Sequence, residues 1–246
     1  MRTKTICRRL LSVLLLVCVT GAFASAGEAA PPAPVPDTGQ DRCYDDQGEI
    51  AFPAPGEGYF GQDAQVQTRT PRYRDNGDGT VTDLVTGLLW QQAPAPEKLD
   101  QDDAEAYAAR LRLAGHDDWR LPTITELFGI ADLRGAMHAR TPYIDTSVFA
   151  FVYPDASAGS DGRPGERNMD AQYASSTRYL GITMGRDRSA FGFNFADGRI
   201  KSYPLQAERY VRCVRGPSVS NERRFVDNGD GAITDRATGL MSQTLD

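Results

Sequence analysis

The sequence has few of the residues that build metal centres and catalytic sites. Its 246 residues include only two histidines, His116 and His138, and neither has a cysteine or glutamate at the spacing of a zinc site. The motifs G-x-S-x-G and G-x-x-x-x-G-K-[ST] are both absent, which removes the signatures of an α/β-hydrolase and of a phosphate-binding loop. We therefore expect a protein that is not an enzyme and that holds no metal and no other cofactor.

A long apolar run is also lacking. The longest stretch, Leu10–Phe23, falls short of the roughly 20 residues that span a bilayer. It follows a basic segment and precedes Ala24-Ser25-Ala26, a small-x-small cleavage pattern. Residues 1–26 are therefore predicted to be a signal peptide. The mature protein is expected in the periplasm, on the outer surface or outside the cell, without a transmembrane anchor.

Basic residues are also fewer than acidic ones. Loss of the four basic residues of the signal peptide changes the balance from 27 basic and 33 acidic residues to 23 and 33, a net charge of −10. So acidic a surface disfavours nucleic acid as a partner. The region between Arg178 and Arg224 is an exception, because it holds ten basic residues and four acidic ones.

Five residues of that basic region are predicted to contact a ligand. On neighbouring strands they would form a face for sulfate, carboxylate or phosphate groups. The alternative is ordinary solvated charge that is paired with acids elsewhere. The five residues are Arg178, Arg186, Arg188, Arg199 and Lys201.

Only two of the four cysteines, Cys43 and Cys213, lie beyond the signal peptide. Since an exported protein meets oxidising conditions, we predict a disulfide between them, worth about 4–5 kcal/mol in the chain-entropy model. The alternative is two buried free thiols. In that case Arg212 and Arg215 would lower the pKa of the Cys213 thiol, as a nucleophile requires.

One Asp- and Gly-rich phrase occurs twice, as RYRDNGDGTVTDLVTGLLWQ at 72–91 and RFVDNGDGAITDRATGLMSQ at 224–243. Its carboxylates Asp75, Asp78 and Asp83 do not follow the ligand spacing of an EF-hand calcium loop. Asp and Asn beside Gly are the residues that tight turns require. The phrase therefore predicts a β-hairpin followed by a third strand, and a structural turn in preference to a calcium site.

The remaining elements follow from capping and periodicity. Asp100 caps a predicted helix over 101–113, with Gly115 as its C-terminal cap, and Thr123 with Glu126 forms a capping box for a helix over 124–133. The two tryptophans, Trp90 and Trp119, are predicted to lie in the core, with a sugar-stacking surface as the alternative. Strands are predicted at 173–179, 190–195, 200–203 and 210–214. The order of elements indicates an α+β fold with a mainly antiparallel sheet.

Five blocks in sequence resemble the family named after the C-terminal domain of the Legionella collagen-like adhesin. The resemblance implies an exported domain, often in tandem, with surface adhesion and binding of sulfated polysaccharides. It also implies a fold similar to C-type lectins and to formylglycine-generating enzymes. The blocks are DNGDGTVTDLVTGLLWQ, AGHDDWRLPTITEL, YASSTRY, FNFADGRIKSYP and YVRCVRG.

The chain departs from that family at three positions. Ala174 stands where a Trp is usual, and Ala108 and Phe52 stand where many relatives have Cys. The absence of both usual cysteine partners fits pairing of Cys43 with Cys213. The resemblance to formylglycine-generating enzymes carries no catalytic cysteine pair onto this chain.

These observations predict a Pro- and Ala-rich linker at 27–42 and a truncated start of a second copy at 217–246. Between them, residues 43–216 are predicted to form a domain like the C-terminal domain of the Legionella collagen-like (Lcl) adhesin, including its N-terminal lead-in. The predicted function is an exported, adhesin-like binding module for glycans or other cell-surface components. Its partner would be an anionic or sulfated polysaccharide or an envelope protein. The alternatives are a structural or assembly domain of the envelope and an enzyme related to the formylglycine-generating group.

Overall fold

The computed structural model of the chain describes residues 36–66, 69–151, 153–154, 167, 170–218, 225–236 and 239–244. The predicted signal peptide and residues 27–35 of the predicted linker lie outside the described residues. From Pro32 onward the chain forms one compact unit. Within the described part of the chain, no helix is long and apolar enough to cross a membrane.

The last residues of the predicted linker are bound to the body of the protein. The Leu133 amide donates to the Thr38 carbonyl at 3.1 Å, and the Gln40 side chain donates to the Leu133 carbonyl at 2.7 Å. Two short strands follow, β1 (Cys43–Tyr44) and β2 (Glu49–Ile50), which pair with each other. The described end of the linker is therefore anchored despite its Pro-rich composition.

Four antiparallel strands form the first sheet, in the order β3–β4–β5–β9. Trp90 occupies a central position in this sheet, where it is opposite Val81 on one side and Val214 on the other. The predicted hairpin and its following strand are thus confirmed. The strands are β3 (Tyr73–Asp75), β4 (Thr80–Asp83), β5 (Leu89–Gln91) and β9 (Val214–Arg215).

The aspartates of the first phrase hydrogen-bond within their own turns. Asp75 Oδ1 accepts from the Gly77 amide at 2.8 Å, Asp78 Oδ1 from the Thr80 amide at 3.1 Å, and Asp83 Oδ1 from the Val85 amide at 2.8 Å. Gly77 has φ +73°, a conformation that glycine adopts without strain. The described residues contain no group of three or more His, Cys, Asp or Glu side chains placed to hold a metal ion. The structure thus uses these carboxylates to build turns.

Both helices begin where their caps predict. Helix α1 (Gln101–Arg110) follows Asp100, whose side chain accepts from the Asp103 amide. Helix α2 (Ile124–Gly129) begins with the predicted capping box of Thr123 and Glu126. Both helices end earlier than predicted. Gly115 does not cap α1, because it lies in a tight turn between Leu113 and His116, past the point where the chain has become extended.

Three antiparallel strands form the second sheet, β6 (Gln172–Arg178), β7 (Ser189–Asn194) and β8 (Ile200–Pro204). Helix α2 packs on this sheet through an edge-to-face contact between Phe128 and Phe193, with centroids 5.8 Å apart. Gly192 and Asn194 are buried as well as Phe193, so both faces of β7 are covered. The predicted strand at 210–214 is mostly wrong, since only its last residue lies in a strand, β9.

Two apolar clusters form the core. Trp90 lies in the larger cluster with Val81, Leu127 and Phe193, and Trp119 lies in the smaller one with Leu121 and Cys213. Both indole rings are buried, which confirms the core prediction and excludes them as an exposed sugar-stacking surface. The mainly antiparallel sheets with two helices also confirm the predicted α+β class.

The predicted Cys43–Cys213 disulfide is not formed in this structure. Both cysteines are free and buried. Cys213 packs in the smaller apolar cluster beside Trp119, whereas Cys43 stands opposite Ile50 in the β1–β2 ladder and is not a member of that cluster. The two thiols therefore occupy different surroundings.

The second phrase folds as a three-stranded meander, β10 (Phe225–Asp227), β11 (Ala232–Asp235) and β12 (Met241–Gln243). Its turn repeats the first one, since Asp227 Oδ1 accepts from the Gly229 amide at 2.8 Å. Its largest apolar side chains, Phe225, Leu240 and Met241, are exposed, however. Leu240, the counterpart of the buried Leu88, is 57% exposed. We name these residues the C-terminal meander.

Candidate ligand-binding site

The structure divides the five predicted contact residues among three places. Arg178, at the end of β6, forms an ion pair with Glu105 of α1 at 2.7 Å. Arg186 and Arg188 are exposed on the β6–β7 hairpin. Arg199 and Lys201 lie together at the start of β8. The sequence therefore identified basic residues of the second sheet and of the connections between its strands, but the five do not form a single cluster.

Arg199 and Lys201 share one buried carboxylate. Arg199 Nη1 and Lys201 Nζ are each 3.9 Å from Asp197 Oδ2. Asp197 belongs to the turn between β7 and β8, in which Asn194 Oδ1 accepts from the amides of Ala196 and Asp197. The Asp197 side chain is only 2% exposed, whereas that of Arg199 is 59% exposed. The turn thus holds a carboxylate below the surface and two cations above it.

Tyr203 extends this polar region along β8. It is two residues from Lys201, so both side chains lie on the same face of the strand. Burial raises the pKa of Tyr203, and the carboxylates of Asp170 and Asp197 raise it further. Asp170 is itself paired with Arg167 at 3.1 Å, and hydrogen bonds from Arg167 hold the pKa of Asp170 below its ordinary value.

Lys98 and Tyr210 complete the region. Lys98 Nζ lies 4.6 Å from the centroid of the Tyr210 ring and donates to the Asp170 carbonyl at 2.9 Å. Sequence reasoning missed these two residues, because they come from segments far apart in the chain. We name the whole set the β8 cluster: Lys98, Arg167, Asp170, Asp197, Arg199, Lys201, Tyr203 and Tyr210.

The β8 cluster offers hydrogen-bond donors, positive charge and aromatic rings at one side of the second sheet. Its four cations and two carboxylates leave a net charge of +2 in a chain whose net charge is −6. Guanidinium and ammonium groups bind sulfate and carboxylate oxygens. Tyrosine contributes a flat apolar surface together with a hydroxyl group. This combination suits a polar, anionic ligand.

Two other arginines of the basic region are unable to meet a ligand because they are buried. Arg212 donates to the carbonyls of Gln91, at 2.8 Å, of Gln92 and of Ala150, at 2.7 Å. Arg209 donates to Gln101 Oε1 at 2.7 Å. These arginines join the segments around β5 and α1, so their role in the structure is to hold the core together.

The Cys213 thiol does not have the environment of a nucleophile. Burial raises its pKa to about 12, whereas a reactive thiol needs a lowered one. The expectation that Arg212 and Arg215 would lower this pKa is wrong. The guanidinium group of Arg212 bonds to carbonyl groups, and that of Arg215 bonds to Asp118.

Comparison with known proteins identifies one family. The family model of the Lcl C-terminal domain matches residues 79–215, which include β4 to β9, both helices and all of the β8 cluster. No curated protein matches the chain.

Proposed function

Since this chain belongs to the Lcl C-terminal domain family, we propose that it is an exported, non-catalytic module that binds anionic glycans at a cell surface. The family assignment supports the part of the proposal that concerns the kind of domain, since the matching model is that of the Lcl C-terminal domain. The resemblance noted in the sequence suggests the class of ligand, because it implies adhesion through sulfated polysaccharides. The β8 cluster is the proposed contact region.

One observation carries this proposal, namely the presentation of Arg199 and Lys201 above the buried Asp197 carboxylate. A surface arginine loses considerable side-chain entropy when a ligand immobilises it. The Arg199 backbone amide also donates to Asp197 Oδ1 at 3.1 Å, which holds the start of β8 in place. A sulfate group would therefore meet two cations that are already positioned.

The tyrosines suit the uncharged part of a sugar. Tyr203 and Tyr210 are both half-buried. The Tyr210 ring stacks on Tyr173 and has Lys98 Nζ above it, so Tyr203 is the tyrosine proposed to present its ring or its hydroxyl group beside the cations. Stacking on an aromatic face and hydrogen bonding to hydroxyl groups are compatible with a polyhydroxylated ring. The proposed ligand is therefore a sulfated or carboxylated polysaccharide, and not an isolated inorganic anion.

The test compares a double variant in the cluster with a matched control. Protein that starts at Pro32 is applied to immobilised heparin at low and at physiological salt. Arg199→Gln with Lys201→Gln should elute at a clearly lower salt concentration than the wild type. The control, Arg72→Gln with Arg110→Gln, removes the same charge from two exposed arginines and should change elution much less.

Two results would contradict the proposal. Failure of the wild type to be retained at either salt concentration would exclude anionic glycans. An equal loss of retention in both double variants would show that total charge determines binding, and the β8 cluster would not be the site.

A further inference from the structure

The loop between β6 and β7 is a projecting hairpin with a structure of its own. The Tyr179 amide donates to the Ser189 carbonyl at 2.9 Å, and the amides and carbonyls of Thr183 and Asp187 exchange hydrogen bonds at 2.8 Å. Met184 and Gly185 form the tight turn, with φ +50° and +78°. We name residues 179–188 the β6–β7 finger. Its backbone is ordered by its own hydrogen bonds.

Three large aliphatic side chains of the finger face solvent. Leu180, Ile182 and Met184 are 102%, 65% and 86% exposed. Single exposed apolar residues are ordinary on protein surfaces, but three at every second position of one hairpin form a concentrated apolar surface. Such surfaces mark contacts with proteins or membranes.

Two arginines accompany these aliphatic residues. Arg186 and Arg188 are exposed, and neither has an ion pair within the described part of the chain. Arg178, at the base of the finger, is by contrast paired with Glu105. The finger therefore combines an apolar surface with two cations that are available to a partner.

We propose that the β6–β7 finger binds an anionic lipid surface. Leu180, Ile182 and Met184 enter the boundary between headgroups and acyl chains, and Arg186 and Arg188 contact lipid phosphates. Apolar burial combined with attraction of arginines to anionic lipids is the basis of interfacial membrane binding. Sugar chains offer no partner for three aliphatic side chains, so this surface is distinct from the β8 cluster.

The positions of the charges favour a membrane over an apolar groove in another protein. Arginine has a long apolar stem that allows its guanidinium group to stay at the headgroup level while neighbouring residues go deeper. The chain as a whole carries a net charge of −6, which repels an anionic surface. Contact must therefore be local and made by an element that projects, as the finger does.

The test measures co-sedimentation with lipid vesicles. It uses protein that starts at Pro32, since residues Pro32–Asp246 form one compact unit and the apolar run Leu10–Phe23 is then absent. Vesicles of equal parts phosphatidylglycerol and phosphatidylcholine are compared with vesicles of phosphatidylcholine alone. The wild type should bind the first and bind the second at least tenfold more weakly.

Variants separate the two components of binding. Leu180→Ser with Met184→Ser should lower binding to anionic vesicles at least tenfold, and Arg186→Gln with Arg188→Gln should lower it about thirtyfold. The matched control, Leu84→Ser with Met241→Ser, changes two exposed apolar residues elsewhere and should bind as the wild type does. Melting temperatures should stay within a few degrees, because all of these side chains are exposed.

The proposal is overturned if the wild type does not bind anionic vesicles, or if the Leu180 and Met184 variant binds as well as the control. It is also overturned if vesicle binding is absent while crosslinking in cells to an envelope protein depends on Leu180 and Met184, which would assign the finger to a protein partner. Heparin retention should be kept by the Leu180 and Met184 variant, so failure of this proposal and failure of the glycan proposal give different results.

Discussion

Substitution of the buried Cys213 thiol should change the stability of the protein in a way that depends on pH. Cys213→Ala removes one sulfur atom from the cluster that contains Trp119 and Leu121. At neutral pH we expect a loss of about 1–2 kcal/mol in the free energy of unfolding, from lost apolar burial and a small cavity.

At high pH, ionisation of the Cys213 thiol lowers the stability of the wild type and leaves that of the alanine variant unchanged. Burial raises the pKa of Cys213 from 9.0 to about 12 in the folded protein. A group whose pKa is higher in the folded protein than in the unfolded chain contributes stability. This contribution is fully present below the pKa of the unfolded chain and is lost as the pH rises towards the pKa of the folded protein. Between about pH 8 and about pH 10.5 the unfolded chain releases this proton while the folded chain keeps it, so the wild type loses about 2 kcal/mol that the alanine variant does not lose.

The assay is urea unfolding of the wild type and of Cys213→Ala at both pH values under reducing conditions. The wild type should be more stable at the lower pH, and the two proteins should become equal or exchange order at the higher pH. Ionisation of tyrosines remote from Cys213 affects both proteins equally and cancels in the difference. Tyr107 is the exception, because burial raises its pKa and Cys213 raises it further, so Tyr107→Phe serves as the background for both proteins. A stability difference that does not change with pH would refute the buried-thiol argument. An intramolecular Cys43–Cys213 bridge in non-reducing mass spectrometry would refute the free-thiol state itself.

Three further predictions concern a strand, a helix cap and a turn. Gly192→Ala should lower the free energy of unfolding by about 1–3 kcal/mol, because the added Cβ atom would lie 2.6 Å from the Tyr173 carbonyl oxygen. Chemical denaturation would measure this loss. The control is Gly58→Ala, whose added Cβ atom would have no neighbouring atom within 4 Å. Thr123→Ala should lower the melting temperature by about 2–4 °C through loss of about 1 kcal/mol of capping, whereas Thr123→Ser should not. Asp197→Asn should lower the salt concentration for elution from heparin, because it removes the carboxylate that lies 3.9 Å from Arg199 and Lys201 and positions both cations. An unchanged or higher elution concentration would contradict the positioning role of Asp197.

The features that the sequence predicted well are those determined by neighbouring residues. The capping box of Thr123 and Glu126 was confirmed because its two hydrogen bonds join residues three positions apart. The Asp75–Gly77 turn was confirmed for the same reason. Residues 210–213 were predicted as strand and are not, because the residues around Tyr210 bond to separate segments, including Gln172 and Leu99.

The candidate site depended on information that is not local. Arg199 and Lys201 were identified as basic residues, but their shared Asp197 and the neighbouring Lys98–Tyr210 pair require the tertiary fold. Likewise, charge alone did not distinguish Arg212, which is buried among carbonyl groups, from the exposed Arg199. The disulfide was inferred from compartment and cysteine count, neither of which determines whether two cysteines are neighbours.

The likeness between the C-terminal meander and strands β3 to β5 has a consequence for folding. The meander has the same turn hydrogen bonds although Leu240 is exposed, so short-range interactions are sufficient to form it. In the first sheet, by contrast, β9 must find β5 across the long separation between Trp90 and Val214. Contacts of high sequence separation form slowly because of the entropy of loop closure. We therefore expect strands β3 to β5 to form early, and the pairing of Val214 with Trp90 to be among the last events that close the domain.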